Sequence, residues 1–183
     1  MLPRTPHGRP AHAGRLGRLR CLLLPFALVL SAAGCAGSKA PPPSHPSPLH
    51  AGAAPQIDKN TLGGARIDTD AMRGQVLVVK FFAKYCEPCK ETLPAAQRLH
   101  AKYEDVTFVG ISVDERSSDA EALVAQYGLT FPVVLDRSRS ISGRYRVVDI
   151  PMTFVVDREG VVQWVAGPGQ SEEDLQRAIE SLR

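Results

Sequence analysis

Val76-Leu-Val-Val-Lys-Phe-Phe82, followed at once by Ala-Lys-Tyr-Cys86-Glu-Pro-Cys89, is the stretch on which the fold turns. Its first seven residues are a nearly unbroken apolar and aromatic run with β-branched members, the pattern of a strand covered on both faces. Residues 87–103 then carry Leu93, Ala96, Leu99 and Tyr103 at helical spacing, with Pro94 inside expected to bend the helix. Residues 106–113 return as a second buried strand. Ser118-Asp119 can cap a helix running to Tyr127, which Gly128 ends as a left-handed cap. This β-α-β-α succession implies parallel strands joined by right-handed crossovers.

Further along, the pattern changes. Residues 131–135 suggest a short strand and residues 141–148 a short helix. Residues 152–157, a turn at Arg158-Glu159-Gly160 and residues 161–166 read as an antiparallel hairpin. Ser171 followed by Asp174 resembles a capping box opening a last helix, with Leu175, Ile179 and Leu182 on one face. Trp164 falls in the final strand and is expected in the core. The fold class is therefore α/β: a mixed central sheet, parallel in its first half, closed by a C-terminal antiparallel hairpin and flanked by helices.

In the other direction the chain stops looking like a domain. From Lys39 to Pro55 it is Pro, Ser, Ala and His with almost no large apolar side chain, so residues 35–56 read as a semi-stiff tether. His45 and His50 within it are read as solvated. The first 34 residues have a basic region through Arg20, an apolar run over 21–30, and small residues up to Gly34, the layout of a signal peptide. Ala32-Ala33-Gly34-Cys35 resembles a bacterial lipobox, with Cys35 as the acylated first mature residue; the alternative is plain secretion. Several acyl chains would hold the protein stably at a membrane. These readings place residues 57–183, the folded domain, in the cell envelope on the periplasmic side.

The formal charge of +3 comes from that leader, which holds five of the 22 basic residues and no acid; the remainder has 17 against 19 acidic residues, net −2. With no Lys/Arg stripe, there is no electrostatic case for a nucleic-acid partner.

The chemistry sits in Cys86-Glu87-Pro88-Cys89. A cysteine between a buried strand and a helix meets the helix N-terminus, where free N–H groups and the dipole favour a thiolate. The two-residue spacing returns Cys89 to the same side one turn later, where it can attack a mixed disulfide formed at Cys86. Cys86 thus attacks and Cys89 resolves. Pro88 suits the first helical turn, which needs no N–H there. Half of a zinc site is the structural alternative, but four ligands are normally needed. The folded part offers only these two cysteines and His100, which is read as packed or solvated. A c-type haem would need histidine where Lys90 stands. A purely structural disulfide over so short a loop stabilises little.

The segment from Val78 to Lys90 followed by Leu93-Pro94 resembles the active-site segment of thioredoxin-like proteins, most nearly the TlpA/ResA type. Gly110-Ile-Ser-Val-Asp114 and Ile150-Pro151-Met-Thr-Phe-Val-Val-Asp157 with Gly160 are placed as in that family, and the likeness covers nearly all of 57–183. It implies a thioredoxin-like fold and a thiol-disulfide oxidoreductase with no cofactor beyond the Cys86–Cys89 disulfide itself. It further implies that Pro151 is a cis-proline facing the disulfide and that the Ile150 backbone is free to pair with an extended substrate. A reductive role on exported proteins such as apocytochromes c, clients with cysteine thiols or disulfides, and a membrane-embedded thiol electron donor follow from the same likeness.

Three positions depart from that family. Tyr85 replaces the tryptophan usual before the first cysteine, keeping an aromatic surface beside the thiol. Lys80 replaces a buried acid or Asn; its amine would favour a nearby thiolate if charged, desolvation would neutralise it, or its stem could pack while the amine reaches solvent. Thr92 stands where membrane-bound reductases carry an acid, and Glu91, one residue earlier, is turned about 100 degrees away on a helix. Glu87 completes the residues expected to support the site.

Two other classes compete. Residues 131–160 also read rather like a peroxiredoxin, but that family has threonine three residues before its peroxidatic cysteine and this chain has Ala83. A non-catalytic copper-transfer module could use the two sulfurs, although no methionine or histidine adjoins them.

Overall fold

The computed structural model describes residues 41–183. Cys35 and the leader lie outside the described residues, as does the start of the tether. The first elements are two short strands, β1 (Asp58–Asn60) and β2 (Arg66–Asp68), paired antiparallel as a small hairpin. A 3-10 turn over Thr69–Met72 leads into β3 (Val76–Phe82). Then come α1 (Cys89–Lys102), β4 (Val106–Ser112), α2 (Ser117–Tyr127), β5 (Val133–Leu135), α3 (Ser140–Arg144), β6 (Met152–Val156), β7 (Val162–Ala166) and α4 (Glu172–Glu180).

Five strands form one sheet in the order β5-β4-β3-β6-β7. β3, β4 and β5 run parallel, whereas β6 and β7 run antiparallel to their neighbours. This is the mixed sheet expected from the sequence. Every residue of β3 is buried, which explains its lack of polar alternation: it is the central strand, with a layer on each face. Val76, Val78 and Phe82 point to a layer shared with Cys89, Leu93, Ala96 and Leu99 of α1, Leu123 of α2, and Leu175, Ala178 and Ile179 of α4. Leu77, Val79 and Phe81 point to the other layer, closed by Ile57, Ile67, Ile141 and Tyr145.

Helix α2 opens at Ser117 with Arg116 as its cap residue and no side-chain cap bond, so Ser118-Asp119 lie in its first turn instead of capping it. The Asp119 carboxylate is taken by Lys84 and Arg116. The helix expected over 141–148 is the shorter α3. Other local signals are placed where the sequence put them. Gly128 ends α2 with φ 57°, a backbone angle costly for other residues. The Ser171 hydroxyl accepts from the Asp174 N–H at 3.0 Å and opens α4. Pro94 lies inside α1 without ending it. Gly110 is required by crowding: a Cβ there would come within 3.0 to 3.1 Å of Phe131, Phe82 and Val133.

One reading needs correction. From residue 41 onward, the segment read as a semi-stiff tether lies along β7. Ala51 N–H donates to Val162 O at 2.8 Å, Val162 N–H returns to Gly52 O at 2.8 Å, and Ala54 N–H donates to Gly160 O at 2.9 Å. Ser44 N–H reaches Val165 O, and Trp164, buried as expected, donates its indole N–H to Pro42 O at 3.3 Å. His50 is exposed, as read from the sequence, and its Nε2 also donates to Gln163 O at 3.2 Å. The physical reason is that an edge strand offers a row of free backbone groups, so a segment poor in apolar side chains can still be ordered by its main chain. Leu49 and Ala54 add apolar contact with the second layer. The chain then crosses to the opposite margin, where Leu62 N–H donates to Val133 O of β5 at 2.8 Å. The ordered domain therefore begins before Ile57.

Candidate active site

Strand β3 delivers the chain into a tight turn. Cys86 N–H donates to Ala83 O at 3.1 Å and Cys89 N–H to Cys86 O at 3.2 Å, so α1 begins at Cys89 rather than at Glu87, with Pro88 as its cap residue. Cys86 and Cys89 form a disulfide with Cα atoms 5.3 Å apart. Both are buried, Cys89 at 1% exposure and Cys86 at 5%, and both belong to the layer beneath α1. Cys86 is the slightly more exposed of the two.

The turn is held from below by a residue the sequence reading noticed only as part of a motif. Asp114, at the end of β4, is buried and accepts from the Lys84 N–H with both carboxylate oxygens, at 3.0 and 3.2 Å; Ser112 Oγ donates to it at 2.9 Å. It fixes the backbone two residues before Cys86. Asp136 was missed altogether. Its carboxylate accepts from Ser142 N at 2.7 Å, Ser142 Oγ at 2.6 Å and Ile141 N at 3.1 Å, organising the start of α3. A buried Asp that follows a strand and precedes Ser-x-Ser is the signal that could have found it.

The Ile150–Pro151 peptide bond is cis and Pro151 is buried immediately before β6. Ile150 is half-buried and packs against both layers, the one containing the cysteines and the aromatic one. Tyr85 is 69% exposed beside the disulfide, and Arg139 donates to its hydroxyl at 3.2 Å. Glu87 and Lys90 form a surface ion pair at 2.6 Å, which holds the Lys90 amine above the usual lysine range. Such exposed pairs contribute little.

Lys80 does not reach solvent. It is 1% exposed, and its Nζ donates to Thr153 Oγ1 on β6 at 3.2 Å. The snorkelling alternative is overturned because helices close that face of the sheet above it. Burial alone pushes its pKa down to about 7. Thr92 is buried and donates to Pro88 O at 3.3 Å, while Glu91 is exposed. Neither is a carboxylate facing the cysteines. His100 packs edge-on against Phe108 and Phe131, and burial lowers its pKa.

A parallel βαβ unit carrying a CxxC pair at the head of its helix, a cis-proline at the start of the antiparallel hairpin, and helices over the cysteine face define a thioredoxin-fold dithiol-disulfide protein. Comparison with known proteins agrees. The model of the AhpC/TSA family matches residues 51–165, and the chain belongs to that family. Within it, the chain is similar to the thiol-disulfide oxidoreductase ResA of Bacillus thuringiensis (strain Al Hakam), with 30% identity over 132 residues, covering 70% of this chain and 76% of that protein. Among solved structures it is similar to a secreted disulfide oxidoreductase of Mycobacterium tuberculosis homologous to E. coli DsbE. That pair shares 27% identity with a TM-score of 0.65, over 69% of this chain and 96% of that one. A thiol:disulfide interchange protein of the thioredoxin family from Chlorobium tepidum TLS shows the same fold at 24% identity, TM-score 0.66, covering 79% and 98%. The chain is a thiol-disulfide oxidoreductase with a thioredoxin-like fold.

Proposed function

We propose that this oxidoreductase reduces disulfides in exported proteins, of the kind handled in cytochrome c maturation or related thiol maintenance. Cys86 attacks the client disulfide and Cys89 resolves the mixed disulfide. Tyr85, Glu87 and Pro88 shape the surface around the attacking sulfur, while Ile150 and Pro151 receive the client backbone. A membrane-embedded thiol donor restores the dithiol, and a lipid at Cys35 keeps the domain at the periplasmic side of the envelope. The observation that carries the reading is the barely exposed Cys86–Cys89 disulfide at the start of α1, and a backbone step at Ile150 supports it. Among the described residues, neither its N–H nor its C=O is engaged by another backbone group. Such a step can take an extended peptide by main-chain hydrogen bonds while its cysteine lies over Cys86. Among the described residues no helix is long and apolar enough to cross a membrane.

The test is insulin reduction by dithiothreitol together with the reduction potential of the pair. Catalysis is expected in the wild type, background rate in Cys86→Ser, and a stable mixed disulfide in Cys89→Ser. A potential at or below the glutathione range of about −220 to −260 mV supports a reductant, whereas a value near −120 mV marks an oxidant and overturns the direction.

The family match over 51–165 makes a thiol peroxidase the second reading to measure. Against it, Ala83 is a buried apolar residue where a peroxidase would need a hydroxyl. Peroxide consumption faster than insulin reduction by the same sample would favour the peroxidase.

A further inference from the structure

Tyr85, the residue directly before Cys86, is a large side chain left 69% exposed. The guanidinium of Arg139 donates to its hydroxyl at 3.2 Å. That contact occupies one N–H of the arginine and one lone pair of the hydroxyl. The other N–H groups of Arg139 and the phenolic proton of Tyr85 have no partner among the described residues.

The backbone holds Arg139 at this place. It precedes α3 with φ 57° and ψ 18°, a left-handed conformation costly for a residue that has a side chain. Asp136 enforces it. The Asp136 carbonyl accepts from Arg139 N–H at 2.9 Å, while its buried carboxylate accepts from Ile141 N–H at 3.1 Å and Ser142 N–H at 2.7 Å. A costly conformation kept by several bonds points to a use for the side chain it aims.

Tyr85 and Arg139 line an open recess of about 410 Å³, together with Asp114, Glu115, Arg116 and Asp119. Asp114 is buried on the Lys84 N–H, and Asp119 is shared by Lys84 and Arg116. Glu115 is exposed. At the surface, Lys84, Arg116 and Arg139 therefore outnumber the carboxylates of Glu115 and Asp119, and Arg139 is the lining cation without an acid among the described residues. The recess is continuous with the client surface through Tyr85.

We propose that Arg139 and Tyr85 form a specificity site that takes a carboxylate side chain flanking the reacting cysteine of the client. The carboxylate accepts two N–H bonds from the Arg139 fork and the free O–H of Tyr85. The sulfur chemistry at Cys86 is unchanged; the seat selects and orients the chain that brings the disulfide. Asp136 acts through Arg139 as a positioning residue.

This inference rests on dithiol exchange at Cys86, and the experiment separates the two. Reduced full-length protein is reacted with two peptide disulfides, one built on Glu-Cys-Glu and the other on Gln-Cys-Gln. Each rate constant is read by chromatography after acid quench and divided by that peptide's rate with dithiothreitol. In the wild type the acidic peptide should be favoured about fivefold at low salt, and the preference should fade at about 1 M salt. Arg139→Gln should abolish the preference. Arg139→Lys should restore part of it, because the charge returns without the fork. Arg137→Gln, an equal loss of charge two residues away, should leave it intact.

A wild type that reduces both peptides equally overturns the inference and leaves exchange standing. So does a preference that survives Arg139→Gln, or one that falls as far in Arg137→Gln. No reaction with either peptide overturns exchange and the inference together. If the Arg139 variants fail to fold, NMR of the wild type decides. The Arg139 side-chain N–H signals should move on adding a Glu-Ser-Glu peptide and stay in place with Gln-Ser-Gln; signals that stay in place with both, or move equally with both, overturn the inference.

Discussion

Strand β3 has two different interiors, one through each face. Leu77, Val79 and Phe81 look into a layer made of apolar and aromatic groups, in which Phe81, Tyr145 and Phe154 form a triangle with ring centroids 5.2, 5.8 and 5.0 Å apart. Val78, Lys80 and Phe82 look into a layer that holds an amine, the Thr153 hydroxyl and a disulfide. The two are equally dry, so burial does not distinguish them. What differs is tolerance of polarity: the aromatic face holds the sheet and its coverings together, and the cysteine face spends stability to keep reactive groups out of water. Even Tyr145, the aromatic face's polar-tipped side chain, is held neutral, because burial raises its pKa above the ordinary tyrosine value.

Breaking the aromatic face should produce the largest change in stability. Phe154→Ala removes a fully buried ring from the triangle and is expected to cost about 3–5 kcal/mol in urea unfolding. Insulin-reduction rate per folded molecule should be unchanged; a rate that falls with stability would mean the two faces are not separable. A smaller loss is expected when residues 41–54 are deleted. The backbone bonds to β7 and the contacts of Leu49 and Ala54 with the aromatic layer disappear, costing on the order of 2–4 kcal/mol. The reduction potential should not move.

Lys80→Met sharpens the comparison from the other side. In the oxidised folded protein the amine titrates near 7, against 10.5 when free. Between those values the unfolded chain holds the extra proton, so wild-type stability rises with pH across that window, and the cost of burying the amine is greatest below it. The variant should be the more stable protein at pH 7. Its advantage should shrink by up to about 1.4 kcal/mol per pH unit toward pH 9. A gap that is constant with pH would mean the amine keeps its charge state throughout. The smallest effect belongs to Glu87→Gln, which breaks an exposed ion pair and should change stability by less than about 0.5 kcal/mol.

The sequence made the active strand and its helix easy to read because both signals are local. An uninterrupted apolar run, two cysteines at helical spacing and Gly128 each impose their structure within a few residues. Pro151 could be placed only by resemblance, since proline alone does not specify a cis bond. The hairpin of β1 and β2 escaped because it carries little apolar pattern: β1 is exposed throughout, and the pair is joined by main-chain bonds and by contacts such as Arg66 with Asp58 at 2.6 Å. The strap over β7 escaped for a similar reason, as its order comes from a strand more than a hundred residues later. For Lys80, the residue type and the buried strand conflicted. Which prevailed depended on the helices above it, and that is a property of tertiary packing.

The strap along β7 has a consequence for how this protein meets others. An enzyme that exchanges disulfides encounters chains that are incompletely folded and expose strands of their own. A bare sheet margin would invite such chains to join it by main-chain pairing and stay. With residues 44–54 lying on β7 and Leu62 bonded to β5, both margins of the sheet are already engaged from within the molecule. A chain that exposes a strand of its own therefore finds neither margin of this sheet wholly free for main-chain pairing.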